Sequence, residues 1–206
     1  MSAAVIRYHR GMGRWGPDAR GRLEQAALEL YVERGYEQTT VAEIAGRAGL
    51  TERTFFRHFA DKREVLFGGS GALQDLIVSA VIKAPASAVP IEAVAVGLEA
   101  VGAVFEDNLE RSRRRQTVID ANAELQAREL SKLAALALAI RGALRQRGTA
   151  DPAASLAAEA GIVIFRTAFE RWIGGTGQRD WAHLVRVSLN EFRAVMAGEA
   201  ARSEVR

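Results

Sequence analysis

Two helix-start signals, at Thr40 and Thr51, lie close together in this chain, with Gly49 between them. Thr40 opens a capping box, TVAE, in which the threonine hydroxyl and the glutamate carboxylate satisfy each other's backbone amides. Thr51 has the side chain of a helix N-cap, and Phe55 and Phe59 follow it one turn apart on a single face. This spacing predicts a helix-turn-helix over about 41–60, in which two short helices are joined by a tight turn.

Gly and Pro divide the rest of the chain into segments of helical length, in which apolar residues recur every three or four positions. This is the period of an α-helix and not of a β-strand, so we expect an all-α fold of about nine helices. The first helix begins near Pro17 and Asp18 and ends at Gly35, because glycine readily adopts a left-handed helix end. We expect its buried face to consist of Leu23, Ala26, Ala27, Leu30 and Tyr31.

A fourth helix, capped by Asp61 and ending before Pro85, connects this front part to the larger remainder. It contains the glycine-rich stretch 68–71, which is compatible with close packing, a local break or a soft hinge. Five further helices are predicted at 91–108, 111–121, 123–147, 152–172 and 180–197. The domain assignment is a flexible basic arm (1–16), a helix-turn-helix domain (17–64), a connecting helix (65–84), a ligand-binding and dimerisation domain (85–198) and a tail (199–206).

The composition restricts the compartment and the partners. No cysteine is present, so disulfides and thiolate metal sites are excluded and a cytoplasmic location is expected. The first residues, MSAAVIRYHRGMGRW, lack the apolar core of a signal peptide. Since no run of about 18 apolar residues occurs either, we expect no membrane partner. The net charge of +3 arises in residues 1–63, because 64–206 carry equal numbers of basic and acidic residues. A polyanion would therefore bind the front part.

Catalysis is not expected. The chain has three histidines, at positions 9, 58 and 183, and no metalloprotease, phosphate-loop or nucleophile-elbow motif. We therefore predict no catalytic residue, no metal site and no cofactor. A second alternative is an architectural protein that binds DNA without sequence preference, although such a protein does not need a large apolar helical domain behind its DNA reader.

The stretch from Gly35 reads GYEQTTVAEIAGRAGLTERTFFRHFADKREVL and resembles the TetR family of bacterial regulators. The likeness covers roughly residues 18–67. It implies a homodimeric transcriptional regulator that binds double-stranded operator DNA through the helix-turn-helix and a small-molecule effector through the C-terminal domain. Two recognition helices about 34–36 Å apart would read a palindrome. Repression is the common mode of the family, and activation stays open.

The recognition helix is expected to present its N-terminal residues to base edges in the major groove. Arg53 has the guanidinium fork that suits guanine O6 and N7, and Thr54 suits a thymine methyl or a neighbouring base edge. Thr51 is either a helix cap alone or a cap that also contacts a base. An N-terminal arm with Arg7, His9, Arg10 and Arg14 is either a minor-groove contact or a frayed terminus.

The resemblance also implies contacts to the DNA backbone, from Thr40, His58 and Lys62. The alternatives are that Thr40 is only a helix cap, that His58 covers the core and that Lys62 is a solvated surface lysine. At Phe56 the family usually has tyrosine, whose hydroxyl contacts a phosphate. Phe56 has no hydroxyl, so the phosphate contact is in doubt at this position. We still count Phe56 among the expected DNA-binding residues.

The C-terminal part contains ELQARELSKLAALALAIRGAL, followed by a helix that ends in FERW, and is similar in this to the branch of the family with an acyl-CoA-like ligand domain. This implies an apolar tunnel, or alternatively plain core packing, formed by Phe105, Leu109, Ile119, Leu125, Phe165, Phe169 and Trp172. Arg113, in the arginine-rich run 111–115, is either a ligand for the phosphates of a CoA-type effector or part of a solvated helix face. Dimerisation is expected through the last two long helices, where small residues permit close approach, and packing within one subunit is the alternative. These small residues are Ala153, Ala154, Ala157, Ala158, Ala160 and Gly161.

Overall fold

The computed structural model describes residues 19–106, 108–175 and 180–198. These ranges are helical and contain no β-strand, which confirms the all-α fold. The predicted arm 1–16, the tail 199–206 and the predicted helix start at 17–18 lie outside them. A 3₁₀ helix, Glu64–Phe67, precedes α4. The α-helices are α1 (Ala19–Arg34), α2 (Val41–Arg47), α3 (Glu52–His58), α4 (Ser70–Lys83), α5 (Pro90–Glu99), α6 (Gly102–Glu106), α7 (Leu109–Asp120), α8 (Ala123–Gln146), α9 (Asp151–Gly174) and α10 (Trp181–Met196).

The chain divides into two compact units between Val65 and Leu66. In the first unit α1 packs against α2 and α3. The predicted buried face of α1 is confirmed, because each of its five residues is at most 3% exposed. Gly35 and Gly49 have φ angles of 88° and 65°, in the left-handed region that favours glycine, so both predicted helix breaks are confirmed.

The connecting helix differs from the prediction. It does not run continuously from Asp61, because the 3₁₀ helix ends at Phe67 and α4 begins only at Ser70. The Asp61 carboxylate accepts hydrogen bonds from the amides of Arg63 (2.9 Å) and Glu64 (3.2 Å), so it caps the 3₁₀ turn. A Cβ atom at position 69 or 71 would meet nothing within 4 Å. Close packing therefore does not explain Gly69 or Gly71, and the helix is interrupted at 68–69, between Phe67 and Ser70.

The predicted helix 91–108 is also interrupted. Helix α5 ends at Glu99, and α6 resumes at Gly102. Glycine at position 102 lowers the local helix propensity by about 1 kcal/mol relative to alanine. The interruption places Val101, which is fully buried, and Phe105, which is 8% exposed, in the same core. The described residues therefore contain one more α-helix than the nine expected.

The second unit is a helical bundle in which α4 packs against α5 and α8, while α9 packs against α5, α8 and α10. Two glycines allow the closest approaches. A Cβ at Gly97 would lie 2.5 Å from Cγ2 of Val81, and a Cβ at Gly161 would lie 2.5 Å from Cγ1 of Val94. Helix α5 is therefore held tightly between α4 and α9.

The small residues of α9 were expected to mediate contact between subunits, and for most of them this is wrong. Ala154, Ala157, Ala158 and Gly161 are buried within the unit, where they let α9 approach its own neighbours. The outward face of α9 instead carries larger apolar side chains, including Leu156 and Val163.

Two stretches of the described chain, Glu64–Lys83 and Asp151–Gly174, are long and apolar enough to cross a bilayer by length and composition alone. The same composition suits helices of a soluble core. Helix α9, which forms the second stretch, buries one face against three neighbouring helices.

Candidate nucleic-acid interface

Helix α3 is anchored by its apolar face. Phe55 is fully buried and Phe59 is 4% exposed, with their ring centroids 5.6 Å apart. Thr51 begins the helix, because its hydroxyl accepts a hydrogen bond from the Thr54 amide at 3.2 Å. The cap fixes where α3 begins and the two rings fix its rotation. The opposite face of α3 is consequently held towards solvent.

Helix α2 is braced by local and tertiary contacts. The Thr40 hydroxyl accepts from the Glu43 amide at 3.2 Å and the Glu43 carboxylate accepts from the Thr40 amide at 2.8 Å, which confirms the capping box. These bonds hold the pKa of Glu43 below its ordinary value. Arg47 forms two hydrogen bonds with the Glu33 carboxylate of α1, at 3.1 and 2.9 Å. Such exposed pairs contribute little to stability, so they orient α2 more than they stabilise the fold.

The exposed residues of α3 are Glu52, Arg53, Phe56 and Arg57. Within the part of the chain that the structure describes, neither arginine has an ion-pair or hydrogen-bond partner. Both guanidinium groups are therefore available to an external anion or base edge. Arg57 was missed in the sequence, although its position one turn after Arg53 on a short helix was the signal that would have identified it.

The threonines and His58 have local roles that compete with DNA contact. The Thr40 hydroxyl donates to the Glu43 carboxylate at 2.9 Å, and the hydroxyls of Thr51 and Thr54 lie 3.1 Å apart. His58 is half-buried, and its Nε2 atom is buried without a hydrogen-bond partner among the described residues. The phosphate and base contacts of these four residues stay predictions.

Lys62 holds the turn between α1 and α2. Its ammonium group donates to the carbonyl oxygens of Tyr36, Glu37 and Thr39 at 3.0, 3.4 and 3.3 Å, and it lies 4.2 Å from the Tyr36 ring centroid. The Tyr31 hydroxyl donates to the Lys62 carbonyl at 2.7 Å. We call the contacts of Lys62 with Tyr31, Tyr36, Glu37 and Thr39 the Lys62 clamp. The three ammonium contacts use all three ammonium protons, so the predicted phosphate contact would have to displace at least one of them.

We expect Lys62→Met to lower the free energy of unfolding by about 2–3 kcal/mol, because two partly buried carbonyl groups lose a charged donor. The measurement is urea unfolding of the variant beside Lys83→Met, a change of an exposed lysine that should stay within about 0.5 kcal/mol of wild type. Unchanged stability combined with weakened DNA binding would instead assign Lys62 to phosphate contact alone.

The predicted ligand residues only partly come together. Phe105 lies at the centre of an aromatic cluster, with centroid distances of 5.7 Å to Phe169, 5.1 Å to Trp172 and 4.5 Å to Trp181. Phe165 and the partly buried Leu109 pack in the same core. Ile119 is fully buried but is not part of this core.

Trp181 was not predicted, although a tryptophan directly after the Asp180 cap was a signal for an anchored helix start. Its indole donates to the Leu98 carbonyl at 2.7 Å. A surface depression of about 440 Å³ is lined by other residues, namely Arg171, Asp180, His183, Leu184 and Val187.

The arginine-rich run 111–115 is not simply a solvated face. Arg113 donates to the carbonyls of Ile173 (2.7 Å) and Gly175 (2.6 Å), so it caps the C-terminal end of α9. Arg115 donates to the Leu66 carbonyl at 2.7 Å and pairs with Glu129 of α8 at 3.3 Å. Burial lowers the pKa of Arg115 from its ordinary value. These contacts engage the donors that were expected to face a ligand phosphate, and the phosphate contact of Arg113 stays a prediction.

Comparisons with known proteins agree with this geometry. The family described as bacterial regulatory proteins, tetR family, matches residues 24–67. The HTH-type transcriptional regulator TcmR of Streptomyces glaucescens is 40% identical over 92 residues, which are 44% of this chain and 41% of that protein. The HTH-type transcriptional activator FasR of Mycolicibacterium smegmatis is 37% identical over 67 residues, 32% of this chain and 31% of that protein. The matches thus span less than half the length of these relatives.

The larger unit is compared through solved structures. The structure of Thermus thermophilus FadR, a TetR-family transcriptional repressor in complex with lauroyl-CoA, has a TM-score of 0.53 and 23% identity, covering 86% of this chain and 94% of that one. At this identity the likeness establishes the fold only. The two curated relatives named above are transcriptional regulators. Residues 24–67 therefore match the domain of the tetR family of bacterial regulatory proteins, and the described helices share the fold of a solved TetR-family structure.

Proposed function

We propose that this protein is a sequence-specific transcriptional regulator of the cytoplasm, without a membrane partner, that binds a palindromic operator as a homodimer. The observation that carries the proposal is the outward face of α3. It presents two guanidinium groups that have no partner among the described residues, on a helix whose position is fixed by a cap and two buried rings. A short helix held in this way fits the major groove, where Arg53 forks onto guanine.

The homodimer is supported by the outward face of α9. Leu156 is 73% exposed and Val163 is 53% exposed, and they lie two turns apart on one side of the helix. The neighbouring α8 adds Leu130 and Leu138, which are also exposed. An apolar surface along two packed helices suits an isologous interface in which the same helices of a second copy complete a bundle. One short recognition helix alone would bind a specific site too weakly.

The effector is proposed to be a small apolar molecule, with a fatty acyl-CoA as the first candidate. The aromatic cluster around Phe105 supports an apolar ligand, and the lauroyl-CoA complex of FadR supports the acyl-CoA class. Binding shifts the population towards a form in which α4 is tilted and the two recognition helices are wrongly spaced. This mechanism requires that the effector bind that form more tightly, because equal affinity for both forms shifts nothing.

Repression is the proposed sign of regulation, in keeping with FadR. The likeness to the activator FasR covers 67 residues at the DNA-binding end, so it bears on DNA contact more than on the outcome of binding. A repressor competes with polymerase for an overlapping site, whereas an activator would recruit it. In vitro transcription from a promoter that carries the operator distinguishes the two.

The proposal is tested by selection of duplexes from random DNA with the purified protein. We expect an enriched palindrome with half-sites about 10 base pairs apart, and we expect lauroyl-CoA but not free CoA to release the protein from it. Enrichment of no sequence would contradict the regulator and favour the architectural alternative. Enrichment without release by any acyl-CoA would contradict the effector class only.

Arg53→Ala is expected to weaken binding to the selected operator by about 1–3 kcal/mol and to relax the preference at one G·C pair in each half-site. Arg114→Ala, a change of an exposed arginine in the second unit, is the matched control and should bind as wild type does. Fluorescence anisotropy with operators substituted at each position measures both effects. A uniform loss across all substituted operators would assign Arg53 to a phosphate instead.

A further inference from the structure

Phe56 is the most conspicuous apolar side chain on the outward face of α3. It is 55% exposed, whereas Phe55 beside it is fully buried. Its contact with Phe55 is an edge contact at 5.4 Å between ring centroids, and the inner face of the helix is already filled by Phe55 and Phe59. The packing of the unit therefore does not account for an aromatic ring at this position.

A single exposed apolar residue is ordinary on a protein surface, so the neighbours of Phe56 matter more than its exposure. Arg53 precedes it by one helical turn and Arg57 follows it directly. Among the described residues, neither arginine stacks on the ring or pairs with an acid. The ring is thus an apolar spot between two cations on the face that the proposed function turns towards DNA.

The chemistry of the ring limits what it recognises. A phenyl group donates no hydrogen bond, so it cannot bind a phosphate oxygen in the way a hydroxyl does. In the major groove the one apolar group on a base edge is the C5-methyl of thymine, which apolar side chains contact. We propose that Phe56 reads the methyl group of a thymine next to the base pair read by Arg53. This assignment rests on the proposed function and specifies one determinant of its sequence preference.

The test uses the operator obtained by selection from random DNA, with each thymine replaced in turn by deoxyuridine, which lacks only the methyl group. At one thymine in each half-site, we expect the wild-type affinity to fall about fourfold per methyl and about fifteenfold when both half-sites are changed. Phe56→Ala should bind the thymine operator about fifteenfold more weakly than wild type, because both subunits lose the contact. Its affinity should not change when uracil replaces thymine at that position.

Two further variants separate this role from others. Phe56→Leu should keep part of the methyl sensitivity, because it remains apolar. Val32→Ala, a change of a 53% exposed apolar residue on α1, should bind both operators as wild type does. Thermal unfolding of Phe56→Ala should match wild type, since the ring is outside the core.

The outcomes are distinguishable. The proposed methyl contact is wrong if the affinity of Phe56→Ala falls by the same factor as that of wild type at every thymine-to-uracil change. It is also wrong if Phe56→Ala binds the thymine operator with unaltered affinity. Neither result contradicts the proposed function as a sequence-specific regulator. If selection enriches no sequence, the proposed function fails and this inference fails with it.

Discussion

Replacing Gly97 by alanine is expected to lower the free energy of unfolding by about 3 kcal/mol, near the upper end of the usual range for overpacking a core. The added Cβ would lie 2.5 Å from Cγ2 of Val81, 3.0 Å from the Ile77 carbonyl oxygen and 3.2 Å from Cγ2 of Ile77. A side chain can rotate away, but the carbonyl belongs to the backbone of α4 and cannot. The two helices must therefore separate.

The matched control is Gly71→Ala, because position 71 lies in α4 and a Cβ there would meet nothing within 4 Å. Removing a helical glycine in open space should stabilise the protein by up to about 1 kcal/mol. Chemical unfolding of both variants gives the comparison. Equal stability of Gly97→Ala and Gly71→Ala would show that α4 and α5 do not approach as closely as described.

Glutamate in place of Leu156 or Val163 is expected to convert the proposed dimer into folded monomers and to weaken operator binding by about 100-fold or more. Both side chains are exposed in the single chain, so the substitution leaves the core intact. In the proposed dimer, the new carboxylate and its symmetry mate would be buried without partners, which is strongly unfavourable. The avidity of two linked recognition helices would be lost with the interface.

Sedimentation velocity measures the oligomeric state, and anisotropy measures the operator affinity. Val104→Glu, at a 48% exposed valine on α6, is the control and should leave both unchanged. Glutamate variants of α9 that remain dimeric and bind DNA normally would place the dimer interface elsewhere on the second unit.

The elements of the first unit were predictable because their signals are local. A capping box, a threonine cap and two glycines that require left-handed backbone determine where α1, α2 and α3 end or begin. Phe55 and Phe59 lie one turn apart, so the buried face of α3 and hence its outward face followed from helical periodicity alone.

Contacts between residues distant in sequence were not predictable in the same way. The Lys62 clamp depends on carbonyl groups more than twenty positions earlier, and the bonds of Arg113 and Arg115 depend on α9 and on Leu66. A basic residue in a helix has the same sequence signature whether it faces solvent, a phosphate or a carbonyl. The small residues of α9 were misassigned for the same reason, since alanine and glycine permit close approach to any neighbour.

Sequence-specific DNA recognition by α3 is tested most directly by the ratio of the affinities for operator DNA and for scrambled DNA. Fluorescence anisotropy at fixed salt compares the purified protein on labelled DNA from upstream of its own gene, or on the selected palindrome, with scrambled DNA of equal length. We expect a ratio above about 100, because sequence-specific regulators exceed their own non-specific binding by at least that margin. Equal affinity for the selected and the scrambled DNA would contradict sequence-specific recognition by α3.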